Sequence, residues 1–312
     1  MRKFGRRIVE LVLFILLLSL ISFMIMKLAP GDSVREVLRA DDVALSQEAI
    51  QEQRKEMGLD RPIWIQYTEW LHHLVQLDLG KSYMTQQPVA EELLSRLPAT
   101  LLLTASSLFI MIFIAMPLGV LASLKNNGVI DQFSRGFAIL GTSIPSFWLG
   151  ILLIDLFSIR MGWVPSMGIG TVKHLILPSL TLGMTMAAVY VRVIRSNMLK
   201  SLDEKFIQGA MSRGVTKWRI IIKYALRDAM SPVIGMLGVS MGSLLGGTVV
   251  IEVLFAYPGM GKLAIDAIQN RDYPVLQGYV VILAVCITIC HVLMDVIQLW
   301  LHPEIRLKGG KR

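Results

Sequence analysis

Six long apolar runs divide the chain: Leu11 to Met26, Ala99 to Leu124, Phe137 to Phe157, Leu175 to Ile194, Met230 to Phe255 and Val275 to Trp300. Each approaches or exceeds the roughly 20 residues that a helix needs to cross about 30 Å of hydrocarbon. None alternates with the period of two that a membrane barrel strand requires. A backbone in lipid must satisfy its own polar groups, so the pattern predicts an all-α integral membrane protein with six transmembrane helices. The first run follows Arg2, Lys3, Arg6 and Arg7, as a signal peptide's would. Its length, and the lack of a small-x-small site in LAPGDS, predict a retained helix.

Two polar segments interrupt the runs. Residues 29–98 hold two helix-like pieces, SQEAIQEQRKEMG and PIWIQYTEWLHHLVQ, with turn signals at Pro30-Gly31, Gly58, Gly80 and Pro88. Trp64, Tyr67 and Trp70 recur at spacing three on one face, which suits either a lid at headgroup level or a dock for an outside partner. In the second segment, Ser196 to Asp228, Ser201 and Glu204 have capping-box spacing and predict a helix starting near Leu202. Phe206, Ile207, Ala210 and Met211 would share one face of it. Gly214 suits the left-handed residue that closes such a helix, and Thr216 can cap a second one through Trp218, Ile220, Ile221 and Ile222. A helix, a sharp turn and a helix with a basic surround fit a protein-docking hairpin better than a lipid-bound helix, which needs no turn at its middle.

Composition and charge sharpen the picture. The chain is 54% hydrophobic and 17% charged, with a mean hydropathy of +0.59, outside the soluble range. The net charge of +8 could suggest nucleic acid, but its placement does not. Arg2 to Arg7, the Arg192 to Arg227 loop and Arg306 to Arg312 fall on one side of six alternating helices. The opposite short loops carry only Arg160 with Lys173, and Lys262 with Arg271. This positive-inside pattern puts both termini and the long basic loop in the cytoplasm. The expected division is a tip and first helix (1–28), an external segment (29–98), a core of five helices (99–302) containing the loop 196–228, and a cytoplasmic tail (303–312).

The stretch FIQGAMSRGVTKWRIIIKYALRDAMSPVI resembles the cytoplasmic "EAA" loop of binding-protein-dependent ABC permeases, with Ala210 and Gly214 at that motif's alanine and glycine. Tyr224, Asp228 and Gly209 depart from the family pattern. GLDRPIWIQYTEWL, DLGKSY, LPATLLL, GTSIPSFWLG, HLILPSLTLG and VIEVLFAYPGMGKLAIDAIQNRDYPVLQG extend the resemblance to the dipeptide, oligopeptide and nickel permeases. WVPSMGIG and RDYPVLQ lean toward the nickel subunit. The resemblance implies a type I ABC importer permease fold with an external segment between helices 1 and 2, in a bacterial inner membrane. It implies half of a pathway for nickel or a nickel chelate, with a peptide importer as the alternative and a stand-alone channel or carrier as a distant one. Glu204, Phe206, Ile207, Ala210, Met211, Gly214 and Arg227 would couple the chain to its motor. Implied partners are a second permease, two ATPases that use ATP and Mg, an extracytoplasmic binding protein and membrane lipid.

Other motifs carry less. Gly259-Met260-Gly261-Lys262 evokes a phosphate loop, but a Walker A would need Gly and Ser or Thr where Ala256 and Leu263 stand, so no bound cofactor is expected. His72, His73, His174, His291 and His302 form no catalytic or zinc spacing, and no enzymatic activity is expected. Gly238, Gly242 and Gly246 repeat every four residues, with Gly235 and Gly247 beside them, for tight packing or for a pathway lining. Met184, Met186, Met236 and Met241 suit adaptable packing more than nickel, whose preferred donors are nitrogen and oxygen. Cys286, Cys290 and His291 are weak metal candidates, with His291 and Asp295 at hydrogen-bonding spacing on one helix.

Overall fold

The computed structural model describes residues 2–28, 34 and 46–301. The turn at Pro30-Gly31, His302 and the tail 303–312 lie outside them. The described elements are helical, with one isolated antiparallel bridge between Lys81 and Pro88. They run α1 (Arg2–Leu28), α2 (Gln47–Glu56), α3 (Ile63–Val75), α4 (Val89–Leu124), α5 (Val129–Ser143) and α6 (Ser146–Leu153). A π-helical stretch, Ile154–Arg160, prolongs α6. There follow α7 (Val172–Leu202), α8 (Lys205–Ser212), α9 (Lys217–Arg219), α10 (Leu226–Leu254), α11 (Met260–Gln269) and α12 (Tyr273–Leu301).

Among the described residues, four helices are long and apolar enough to cross a membrane: Val89–Leu124, Val172–Leu202, Lys217–Leu254 and Tyr273–Gln298. The apolar part of α1, Val12–Met26, is shorter. The third run is not one straight helix. It breaks into α5 and α6, bent by 103°. The cause is local: Pro145 has no N–H to donate, and it pushes Ile144 out of the helical region to φ −88°, ψ 122°.

The chain folds as two compact units. The first joins Met1–Thr100 with Pro258–Thr288. Ser46 caps α2, its Oγ accepting from Ala49 N at 3.3 Å. On α3, Tyr67 stacks with Trp70 and tilts against Phe23 of α1, while Trp64 is 72% exposed, so the three aromatics do not act together. The Tyr67 hydroxyl donates to Leu16 O at 3.3 Å and lies 3.1 Å from Ser19 Oγ, within the apolar part of α1 rather than at its end. Leu79, Val89, Leu93, Met260, Ala267 and Val275 form the unit's core. Gly278 lets α12 press on it: a Cβ there would lie 2.6 Å from Val89 Cγ1 and 2.9 Å from Leu93 Cδ1.

The second unit joins Leu101–Tyr257 with Ile289–Arg312, and α7 is its post. Small residues bring the neighbouring helices onto it, as they must where no hydrophobic effect drives helices together. A Cβ at Gly183 would meet Ile110 Cγ2 at 2.7 Å and Ser107 O at 2.9 Å. One at Gly141 would lie 2.4 Å from Ala188 Cβ. Hydroxyls also tie α7 to its neighbours: Ser106 of α4 to Ser179 at 2.6 Å, and Tyr190 Oη donating to Ser240 Oγ of α10 at 2.7 Å. Because Ser107 O is backbone and cannot swing aside, Gly183→Val is expected to cost about 1–3 kcal/mol by overpacking. A thermal melt of the detergent-solubilised protein would register it.

Candidate functional site

The Ser196 to Asp228 segment is built on α7. That helix runs on through Leu202, so Ser201 lies in its last turn and caps nothing. Ser201 is buried, and its Oγ has no hydrogen-bond partner. A cap is worth about 1 kcal/mol, whereas extending α7 keeps Met198 in the core with Leu202 packed against it. Glu204 takes the cap position instead, in extended backbone without a side-chain bond, and α8 starts at Lys205.

The predicted apolar face of α8 divides. Ile207 and Ala210 are fully buried and belong to the core cluster that also holds Met198 and Ile194 of α7 and Met111 and Ala115 of α4. Phe206 and Met211 point outward, 44% and 51% exposed. Gly214 then closes the helix at φ +77°. Its N–H donates to Met211 O at 2.9 Å, and that of Val215 to Ala210 O at 3.2 Å, the paired bonds of a Schellman turn. Thr216 stands at the next N-cap in extended backbone, without a side-chain bond.

The second arm is not a separate helix. From Lys217 it passes through a π-helical stretch, Ile220–Ala225, into α10 without a break, one helix of 38 residues to Leu254. Ile220 and Ala225 are buried; Trp218 and Ile222 are 65% and 58% exposed. The finished hairpin thus has a packed underside and an outer surface of Phe206, Met211, Trp218 and Ile222. Around these lie the exposed Lys205, Arg213, Lys217, Arg219, Lys223 and Arg227. An apolar centre in a basic rim can dock on a complementary protein groove.

The other candidates scatter. A Cβ at Gly238 would touch Met294 at 3.4 Å, while Gly246 and Gly247 face open space and Gly242 is half-buried. Met241 is buried, Met186 packs against the core, and Met184 lines a groove with Phe133, Phe137 and Leu149. Cys286 and Cys290 are half-buried and His291 is exposed. Among the described residues, no three His, Cys, Asp or Glu side chains gather closely enough to hold a metal.

In the Gly259 to Lys262 stretch, an amide and the lysine are engaged within the protein. Met260 N donates to Thr100 Oγ1 at 2.9 Å, and Lys262 pairs with Asp266 at 2.7 Å. His174 is a capping group, its Nδ1 accepting from Thr171 N at 3.2 Å. Asp272 of RDYPVLQ is buried and accepts from Ser82 Oγ, from Tyr83 N at 3.1 Å and from Met84 N at 3.3 Å. Burial and that carboxylate push the Tyr83 phenol up to about 12. The motifs DLGKSY and RDYPVLQ are therefore each other's partners.

The local spacing also passes over Asp131. This carboxylate of α5 is fully buried, and Arg195 of α7 grips both its oxygens: Nε reaches Oδ1, and Nη2 reaches Oδ2 at 2.9 Å. Arg135 Nη2 donates to Oδ2 at 2.7 Å, and Asn127 N at 2.8 Å.

Comparison with known proteins yields concordant likenesses. Residues 115–307 match the family model described as "Binding-protein-dependent transport system inner membrane component", and residues 1–104 match its N-terminal companion. The "Glutathione transport system permease protein GsiC" of Escherichia coli O6:H1 (strain CFT073) is 36% identical over 303 residues, 97% of this chain and 98% of that one. The protein of the same name from Salmonella typhimurium (strain LT2) is 35% identical over the same length and shares. In fold, the chain is similar to the inward-facing MetNI methionine ABC transporter (TM-score 0.56, 20% identity, 67% of this chain and 95% of that one). It is also similar to an amino acid ABC transporter crystallised with histidines (TM-score 0.54, 17% identity, 67% and 94%).

Proposed function

Because this chain belongs to the family of binding-protein-dependent transport system inner membrane components, we propose that it forms half of the translocation pathway of an ATP-driven importer for small peptides. It is an ABC importer permease subunit, a transport component rather than an enzyme. The hairpin supports the coupling part of the reading. Its outer surface of Phe206, Met211, Trp218 and Ile222 is raised on a core that reaches α7 and α4, and it suits the groove of a separate ATPase. That ATPase binds ATP and Mg on the inner face, where the basic loop belongs by the positive-inside rule. A second permease completes the pathway, and an external binding protein delivers the substrate. Two states of the pore are thereby coupled to two states of the motor.

Peptide is preferred to the nickel of the sequence reading for two reasons. The full-length relatives carry glutathione, itself a small peptide. RDYPVLQ, which leaned toward nickel, spends its carboxylate on Ser82, Tyr83 and Met84. Deleting this chain is expected to abolish ATP-dependent uptake of a labelled dipeptide or glutathione and to leave labelled nickel uptake in nickel-starved cells intact. Loss of nickel uptake with peptide uptake unchanged would reverse the assignment.

A further inference from the structure

The ion pair of Asp131 and Arg195 fastens α5 to α7 at the end of α7 that leads into the hairpin. Further along, α5 and α7 meet again where Gly141 lies against Ala188 with no room for a Cβ between them. Two fixed points stop one helix from pivoting on the other. Beyond Gly141 comes the bend at Ile144–Pro145, and then α6, whose Gly150 sits where a Cβ would meet Leu254 Cδ2 at 2.7 Å and Phe255 Cε2 at 3.3 Å. Leu254 ends the helix that began in the hairpin. A continuous path of close contacts therefore leads from the hairpin through α7, the ion pair and α5 to α6, and returns to the far end of α10.

We propose that Asp131 and Arg195 are positioning residues for coupling: they make α5 follow the hairpin, so that a motion imposed at the hairpin reaches the α5–α6 bend. This inference rests on the coupling reading above. The chemistry favours register over cohesion. A buried ion pair is a poor source of stability, since apolar residues of the same volume often serve as well or better. It does fix an angle. The planar guanidinium of Arg195 engages both Asp131 oxygens in one orientation, and Asn126 Oδ1 accepts from the same Nη2 at 3.0 Å. Arg135, nearly half exposed, adds one bond from the same helix as Asp131 and cannot join two helices.

The test uses the full complex, permeases with ATPases and binding protein in liposomes, and reads substrate imported per ATP hydrolysed. Asp131→Asn is expected to lower that ratio about tenfold with hydrolysis kept within about twofold, and Arg195→Lys, which keeps the charge but loses the fork, about threefold. Arg135→Gln should leave the ratio unchanged. Uptake and hydrolysis falling together in Arg195→Lys would overturn the inference, because a purely structural pair lowers both alike. If Asp131→Asn fails to assemble, the Arg195→Lys ratio decides. Failure of the underlying reading looks different: the unsubstituted complex would show no ATP-dependent uptake, or uptake would survive disruption of the hairpin turn, and the inference would fall with it.

Discussion

Gly214→Pro is expected to abolish transport, by at least about a hundredfold, while leaving membrane insertion and yield close to normal. The residue sits at φ +77°, where proline, locked near φ −65°, cannot go. Its N–H, which proline lacks, makes one of the two bonds of the turn. Both losses fall on the turn, because among the described residues nothing beyond its chain neighbours lies within 4 Å of a Cβ there. The contrast with Gly214→Ala is informative. Alanine keeps the N–H and meets no neighbour, so it carries only the left-handed penalty of about 1–2 kcal/mol. It should retain partial uptake. The measurement is labelled-substrate uptake beside membrane-fraction abundance, with ATPase co-purification as the readout of docking. Normal uptake in Gly214→Pro would remove the hairpin from the coupling path.

Asp272→Ala should have the second-largest effect, this time in the unit formed by residues 1–100 and 258–288. Its carboxylate is the shared acceptor for Ser82 Oγ, Tyr83 N and Met84 N. Truncation leaves the buried Ser82 Oγ and the half-buried Tyr83 N unmatched at about 1–3 kcal/mol each, while Met84 N keeps Ser82 Oγ as an acceptor, so a local loss of roughly 2–5 kcal/mol is expected. The segment around Ser82 to Gln87 should become sensitive to protease added to spheroplasts, while the hairpin stays as resistant as before. Asp272→Asn, which keeps one acceptor oxygen, should fall between the two. Unchanged protease resistance in Asp272→Ala would mean that the segment is held by its apolar contacts alone.

What could be read in advance follows a physical line. Features determined within a few residues were legible: the helices Gln47–Glu56 and Ile63–Val75, the turns at Gly58 and Gly80, and the left-handed Gly214 that closes its helix. Features that depend on a distant partner were not. Arg195 lies 64 positions from Asp131, and Asp272 lies 190 from Ser82, so no spacing rule joins them. Ser201 shows a local signal losing to tertiary packing: a well-formed capping pattern was overridden because the preceding helix gained more by running on. The break at Pro145 was legible in principle, since the residue before a proline avoids the helical region, but the even hydropathy of Phe137 to Phe157 concealed it. Exposure of Phe206 and Met211 beside buried Ile207 and Ala210 could not be seen either, because periodicity gives one apolar stripe and only the fold decides which part of it is covered.

The uninterrupted helix from Lys217 to Leu254 has one more consequence. At 1.5 Å per residue its 38 residues extend about 57 Å, nearly twice the roughly 30 Å of hydrocarbon. Upright in a bilayer, nearly half of it would stand outside the lipid as a crank handle. The π-helical stretch Ile220–Ala225 and Pro232 lie within it, so a nudge at Trp218 can be met by bending at these points as well as by a swing of the end near Leu254.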